Sequence, residues 1–344
     1  MSLLLNGTDG VTYNDGTLQS SAPVGRNRII NGNMQIAQRG TSVTGSTAAA
    51  AYISLDRWAS HASGATYNIS QESVTVGGET GLPTTFTKYL KFNPTTGADN
   101  CGIWQTIEDV DSVQGTYTLS FYAKGTNPAG GSIGISLMQN FGSGGSTTVN
   151  TPDAETFTLT GTWQRFTFTI TPPSITGKTI GTASYYRIFF NQKADDNSAT
   201  AWTLDITGVQ LEVGTTATDF ENLQYGQQLA LCQRYFERYN GGVDGGIPQG
   251  VARTDLGNRP EINLFYLEKR ANPTISGDST VNCNTMANTN VATTGGPHSF
   301  VGTGPRGANL FYYTASGVVA GALSGIVLIV LNGASDYINI DAEL

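Results

Sequence analysis

From residue 25 to residue 213 apolar and polar positions alternate in short runs, as they do along half-buried strands. Tyr117, Leu119, Phe121 and Ala123 fall on one side of such a run, and Phe166, Phe168 and Ile170 on one side of another. Runs of this kind predict strands at 66–70, 88–92, 101–107, 116–123, 132–139, 155–159, 164–170, 185–191 and 202–213, after a strand-like Ile29-Ile30. In the last run Val209, Leu211 and Val213 point one way and Gln210 and Glu212 the other. Beyond Leu223 the period becomes helical: Tyr225, Leu229, Cys232, Tyr235 or Phe236, and Tyr239 share a stripe. Asn222 or Asp219 is placed to cap its start, and Gly241-Gly242 to stop it. Strand-like runs return at 261–267, 274–276, 309–314, 318–323, 326–331 and 337–340. The expected fold is all-β: an N-terminal arm over 1–24, a jelly-roll β-sandwich over 25–221, a short linker helix over 222–240, and a second β-sandwich over 241–344.

Composition supports that reading and narrows the partners. Glycine occurs 43 times and charged residues make up only 13% of the chain, which suits short strands joined by many turns. Aromatic residues at 10% and apolar residues at 38% supply a core that a disordered chain lacks. A formal net charge of −8 argues against nucleic acid, whose phosphates need a basic footprint, and Arg26, Arg28 and Arg39 read as surface or interface residues. The N-terminal MSLLLNGTDG lacks the basic and long apolar stretches of a signal peptide, and the run 318–331 is broken by Gly321, Ser324 and Gly325. The sequence therefore predicts a soluble protein without membrane insertion.

Candidate chemistry is sparse. Cys101, Cys232 and Cys283 are far apart and form no C-x-x-C pair, so they read as buried thiols rather than as a disulfide or zinc framework. His61 and His298 sit in no metal-ligand or triad-like spacing. Glycoside hydrolysis needs two carboxyl groups flanking a sugar bond, and Glu108, Asp109, Asp111, Asp195 and Asp196 fall in apparent turns where acids are ordinarily just solvated. Trp58, Trp104, Trp163 and Trp202 lie at or beside strands, where core packing competes with stacking on sugars. Tyr185-Tyr186 and Tyr312-Tyr313 are adjacent pairs on strands, so one member of each must face outward. Tyr312 or Tyr313, with Asn309, His298 and Asp336, forms the candidate glycan-contacting surface, against intersubunit packing as the alternative. No cofactor is expected. Asp205 and the oxygen-rich turn 31–35 are weak candidates for a structural Ca²⁺.

Several segments, taken in order, resemble the tail-fibre and receptor-binding proteins of tailed bacteriophages. NGTDGVTYNDGTLQSSAP is similar to the virion-proximal end of such fibres, and NRIINGNMQIAQRGTS followed by LDRWA to the start of their sandwich. YTLSFYAKG, TWQRFTFTI and WTLDITGVQLEVGTTATDFE resemble strands of a jelly roll related to carbohydrate-binding modules; LALCQRYFERY, KRANPTISG and DAEL complete the order. The resemblance implies a non-enzymatic homotrimer on the virion, assembled in the host cytoplasm. Its N-terminus would dock on other tail or baseplate proteins, and it would attach the particle to host surface polysaccharide or lipopolysaccharide. A structural virion decoration or fibre adaptor, and a polysaccharide-degrading tail protein, are the alternatives.

Overall fold

The computed structural model describes residues 4–6, 10–12, 18–19, 25–48, 50–64, 66–75, 77–96, 99–193, 201–240, 250–253, 259–277, 282–285, 290–292, 299–304, 307–311, 326–330 and 337–344. They fall into two compact units, 1–228 with Leu344, and 229–343.

The first unit begins with a small antiparallel sheet of β1 (Leu4–Asn6), β2 (Gly10–Thr12) and β3 (Leu18–Gln19). Eleven strands follow: β4 (Ser42–Ser46), β5 (Ala59–Ser63), β6 (Thr66–Ser73), β7 (Lys88–Thr96), β8 (Asp99–Glu108), β9 (Tyr117–Thr126), β10 (Ile133–Asn140), β11 (Val149–Phe157), β12 (Gln164–Ile170), β13 (Tyr185–Gln192) and β14 (Thr203–Val213). They form two antiparallel sheets, a five-stranded one ordered β11-β10-β13-β8-β5 and a six-stranded one ordered β12-β9-β14-β7-β6-β4. The alternation seen in the sequence becomes one apolar face per sheet, and the two faces meet as a sandwich. Phe121 of the six-stranded sheet lies 5.0 Å from Phe190 and 5.1 Å from Phe157 of the other, between ring centroids, and Phe166 closes against Phe157 at 4.9 Å. Trp58 and Trp202 are wholly inside this core.

The segment around Ile29-Ile30 is a turn rather than a strand. Asn31 and Met34 take left-handed backbone conformations, and Asn31 holds the turn by donating to Ile36 O (2.8 Å) and Asp56 O (3.0 Å) while accepting from Ile36 N–H (3.0 Å). Gly32 lies so close to the Val209 carbonyl that a Cβ would collide with it. Asn27 then ties the front of the module to its last strand, donating to Val209 O and accepting from Leu211 N–H. Glu221 accepts from Asn27 N–H at 2.9 Å, and Arg26 pairs with Glu212 at 3.5 Å.

The helix is shorter than its periodicity suggests. α1 covers Tyr225–Gln233, and Phe236–Asn240 is a strand, β15. Cys232 is buried and Leu229 half-buried, but Tyr225 is exposed and Gln228 is buried in place of an apolar neighbour. Neither Asn222 nor Asp219 caps the helix; the Gln227 side chain reaches back to the Gln224 N–H. The residues after Gln233 leave the helix because they find a strand partner, which outweighs a weak local preference.

In the second unit β15 is followed by β16 (Gly250–Arg253), β17 (Arg259–Phe265), β18 (Thr274–Gly277), β19 (Asn282–Thr285), β20 (Asn290–Ala292), β21 (Ser299–Gly304), β22 (Gly307–Phe311), β23 (Ile326–Val330) and β24 (Tyr337–Asp341). One antiparallel sheet is ordered β15-β24-β18 and the other β20-β19-β23-β16-β17-β22-β21. Phe236 pairs with Asp341 and Asn240 with Tyr337 across β15 and β24. The Lys269 ammonium, with no exposed surface, pairs with Glu237 at 2.8 Å and donates to Gln233 O. Burial pushes its pKa down, against the opposing pull of Glu237.

Candidate functional site

The five-stranded sheet turns one face into the core and leaves the other outward, and β13 sets the pattern. Tyr186, Ile188 and Phe190 are buried inside, so Tyr185, Arg187, Phe189 and Asn191 must face the other way. Register then fixes their neighbours. Arg187 stands between Met138 of β10 and Thr106 of β8, Phe189 between Ser136 and Trp104, Asn191 between Gly134 and Gly102, and Tyr185 between Asn140 and Glu108. His61 of β5 lies opposite Gly102.

These rows make an aromatic strip across three strands. His61 and Trp104 rings are 5.8 Å apart, and Trp104 and Phe189 5.3 Å. The Arg187 guanidinium lies 4.7 Å from the Tyr185 ring, 5.0 Å from Trp104 and 5.6 Å from Phe189, and its Nε donates to Thr106 Oγ1 at 3.0 Å.

Beside the strip runs a groove of about 320 Å³ whose lining includes Ser136, Leu137, Met138, Asn150, Phe189 and Asn191. Its wall is a β-bulge. Between Ile135 and Leu137 the pairing with β11 slips, so extra β11 residues stand opposite Ser136, and Asp153 takes a φ of 44° with its N–H on Ser136 Oγ at 3.0 Å. Polar atoms at this face are left waiting. Trp104 is only 5% exposed and its indole N–H has no acceptor; Asn191 Oδ1 has no donor, although its amide nitrogen donates to Gln192 O at 2.6 Å. Buried polar groups are ordinarily satisfied, and the same lack is found in the core at the Trp202 indole and the Tyr186 hydroxyl.

The outer face of the six-stranded sheet is finished differently. Leu82, Phe86 and Trp163 form a second buried cluster there, with Tyr89, Tyr122 and Phe220 packed on it. Lys124 sits 4.9 Å over the Trp163 ring and pairs with Glu79 at 2.6 Å, and the Trp163 indole N–H donates to the same carboxylate at 2.7 Å. The Lys124 hydrogen bond, helped by that of Trp163, holds Glu79 down at about 2 against the cost of burial. Asp205 is on this face, opposite Lys91 and Lys124. Burial pushes its pKa up to about 6 despite both lysines, and its Oδ1 has no hydrogen-bond partner.

The residues singled out from sequence scatter over these settings. Trp58 and Trp202 are core, Trp163 belongs to the closed face, and Trp104 alone of the four lies on the aromatic strip. Of the pair Tyr185-Tyr186, the first faces outward and the second is core. Glu108 ends β8 on the outer face, while Asp109 precedes the short 3₁₀ turn Val110–Ser112 that contains Asp111. Cys101 and Cys232 are buried and in no disulfide, and the Cys101 thiol donates to Gln192 Oε1 at 3.7 Å. Asp205 does not suit Ca²⁺, because two lysines flank it, and no three metal-ligating side chains cluster among the described residues. In the turn 31–35 the Asn31 oxygen is committed to backbone N–H. Tyr312, Tyr313, His298 and Asp336 lie outside the described residues, as do Asp195 and Asp196, and Asn309 is described only as a backbone position opposite Asn263. No described helix is long and apolar enough to cross a membrane. Sequence reasoning passes over Arg187, Phe189 and Asn191. The signal is present in YYRIFFNQ, where aromatic residues occur at both parities, so neither face of that strand is simply solvated.

A family model described as a carbohydrate binding domain matches residues 54–184, a span that begins just before β5 and ends just before β13. Among solved structures the chain is similar to the enzymatically active domain of tailspike protein 4 of bacteriophage CBA120, at 15% identity and a TM-score of 0.32, covering 54% of this chain and 21% of that one. It is similar also to a family 11 carbohydrate-binding module from Clostridium thermocellum in complex with a mixed-linked tetrasaccharide (12% identity, TM-score 0.29, 53% of this chain and 99% of that one). A CBM22-1 xylan-binding domain from Paenibacillus barcinonensis aligns at 13% identity and a TM-score of 0.31, over 57% of this chain and 100% of that one. No curated protein matches.

Proposed function

We propose that the outer face of the five-stranded sheet binds a saccharide chain and does not cleave it. The observation that carries this reading is the aromatic strip of His61, Trp104 and Phe189, with the Arg187 guanidinium among its rings and a groove of about 320 Å³ beside it. The half-buried rings of His61 and Phe189, with Trp104 packed between them, offer apolar area to the C–H faces of sugars. The carbohydrate-binding family match over 54–184 supports the same reading. Affinity gel electrophoresis of the full chain through polysaccharides tests it. Retardation that disappears in Phe189→Ala and persists in a variant on the opposite face is expected; equal retardation in both would sink it. Incubation with any retarding polysaccharide, followed by a reducing-end assay, should show no release.

The wider setting we propose is the one the sequence resemblance implies. The chain is a homotrimeric fibre or receptor-binding subunit of a tailed phage, carried on the virion, with N-terminal docking to tail or baseplate proteins and attachment to host surface glycans. Weak single sites multiplied by trimer and fibre copies would then supply avidity. The second unit remains part of this proposal through Asn309, Tyr312, Tyr313, His298 and Asp336. Light scattering of the purified chain is expected to give three times the chain mass, and a monomer stable to concentration would remove the fibre reading while leaving the saccharide site intact.

A further inference from the structure

We infer that the saccharide taken by this face is acidic, and that Arg187 selects it by pairing with an oxyanion on the sugar. The inference rests on the saccharide-binding reading and names the substrate class of that same face.

The molecule carries its own reference for the argument. On the six-stranded sheet a cation lies over a tryptophan, Lys124 over Trp163, and a carboxylate completes the unit: Glu79 takes the ammonium at 2.6 Å and the indole N–H at 2.7 Å. On the five-stranded sheet the same pair recurs, Arg187 over Trp104 at 5.0 Å, without the carboxylate. Among the described residues no acid lies at ion-pair distance from Arg187, whose one hydrogen bond is from Nε to the Thr106 hydroxyl, and the Trp104 indole N–H has no acceptor. Three rings and one hydroxyl fix the guanidinium in place while its terminal nitrogens stay uncommitted. A planar fork held this way is prepared for a carboxylate or a phosphate, which it meets with two parallel hydrogen bonds. Its place in the row Met138–Arg187–Thr106, next to the groove, is where such a group on a bound sugar would arrive. The chain as a whole is acidic at −8, so attraction for an anionic glycan must come from a local cation rather than from the general field.

The test uses the full chain and isothermal titration against polygalacturonate, hyaluronan and polysialic acid as carboxylate sources, phosphomannan as a phosphate source, and methyl-esterified polygalacturonate and xylan as neutral probes. At least one acidic probe should bind at least about 10-fold more tightly than the neutral ones, with affinity falling as NaCl rises. Arg187→Gln should abolish that preference, and Arg187→Lys should keep part of it because the charge stays and the fork is lost. Circular dichroism and thermal melting of both variants control for folding. Preference for phosphomannan alone, lost in Arg187→Gln, would support the oxyanion and identify phosphate as its source. Binding of neutral and acidic probes with one affinity, or an acid preference untouched by Arg187→Gln, overturns the inference and leaves the saccharide site standing. Absence of binding to every probe, with Phe189→Ala indistinguishable from the parent, removes both.

Discussion

The two outer faces of the jelly roll start from the same parts and end in opposite conditions. Each has a tryptophan beneath a cation, Trp163 with Lys124 and Trp104 with Arg187, at 4.9 and 5.0 Å. On the six-stranded sheet the chain supplies everything else: Leu82 and Phe86 are buried in one cluster with the ring, Phe220 packs on that cluster, and Glu79 satisfies both the ammonium and the indole. On the five-stranded sheet it supplies the rings and the cation, and among the described residues no carboxylate at ion-pair distance from Arg187. A roofed unit of this kind serves stability, since its ring is buried and its partly buried charges and indole N–H are all given partners. An unroofed one, in the proposed reading, gives little to folding and keeps its interactions for a saccharide. In the proposed reading the comparison separates a structural tryptophan from a recognition one more sharply than composition or exposure does, because Trp104 is itself nearly buried.

Truncation at equivalent points should expose the difference most clearly. Trp163→Ala removes a buried ring from a closed cluster and is expected to cost about 3–5 kcal/mol in urea unfolding. Phe189→Ala, half-buried on the open face, should cost under about 1.5 kcal/mol and show its effect in saccharide binding instead. Equal costs at the two positions would mean that both faces are packing surfaces and would break the comparison.

Asp205 is a poorly accommodated group on the closed face. Its pKa is raised to about 6, so the folded state holds a proton more tightly than the unfolded chain does. Stability linked to this group is therefore highest below about 4 and falls as pH rises towards 6, where the full cost of the buried charge is felt. Asp205→Asn should stabilise the protein by on the order of 2 kcal/mol at pH 8 and have no effect at pH 4, read from chemical unfolding at both pH values. The same benefit at both would show that the ionised carboxylate is not what is costly.

Much of this arrangement is legible in the sequence. The strands from β6 to β14 follow from period-two alternation, because a sandwich buries one face of every strand, except β11, of which the expected 155–159 meets only the end of Val149–Phe157 because the bulge opposite Ser136 breaks the alternation. The outward tyrosine of Tyr185-Tyr186 follows from the same rule. What escapes is whatever depends on register. That Phe189 meets Trp104 and that Arg187 meets Thr106 comes from pairing between strands some 80 residues apart, which no local pattern contains. The strand at Phe236–Asn240 escapes for a related reason: its partner β24 lies about 100 residues further on, and the local spacing of Tyr235 and Tyr239 suits a helix as well. The turn at 29–33 looks like a strand locally because its cause is the Asn31 side chain folding onto its own backbone, not the β-branched pair beside it.

The smallest effect separates the two cations. Glu79→Gln leaves Lys124 over its tryptophan without a counterion and should cost about 1–2 kcal/mol at pH 7, since a partly buried charge-assisted hydrogen bond is lost while the indole keeps an acceptor. Arg187→Gln has no carboxylate to abandon and should stay within about 0.5 kcal/mol. The pH dependence supplies an independent reading of the same contact. With the folded pKa of Glu79 held at about 2, its contribution is complete above about 4.5 and is lost as pH falls from there towards 2. The parent and Glu79→Gln unfolding curves should therefore converge on acidification across that range, whereas the parent and Arg187→Gln curves should run together at every pH. A gap between the latter pair that closes in acid would reveal a carboxylate already paired with Arg187 in the free protein, and the open face would have to be counted as closed.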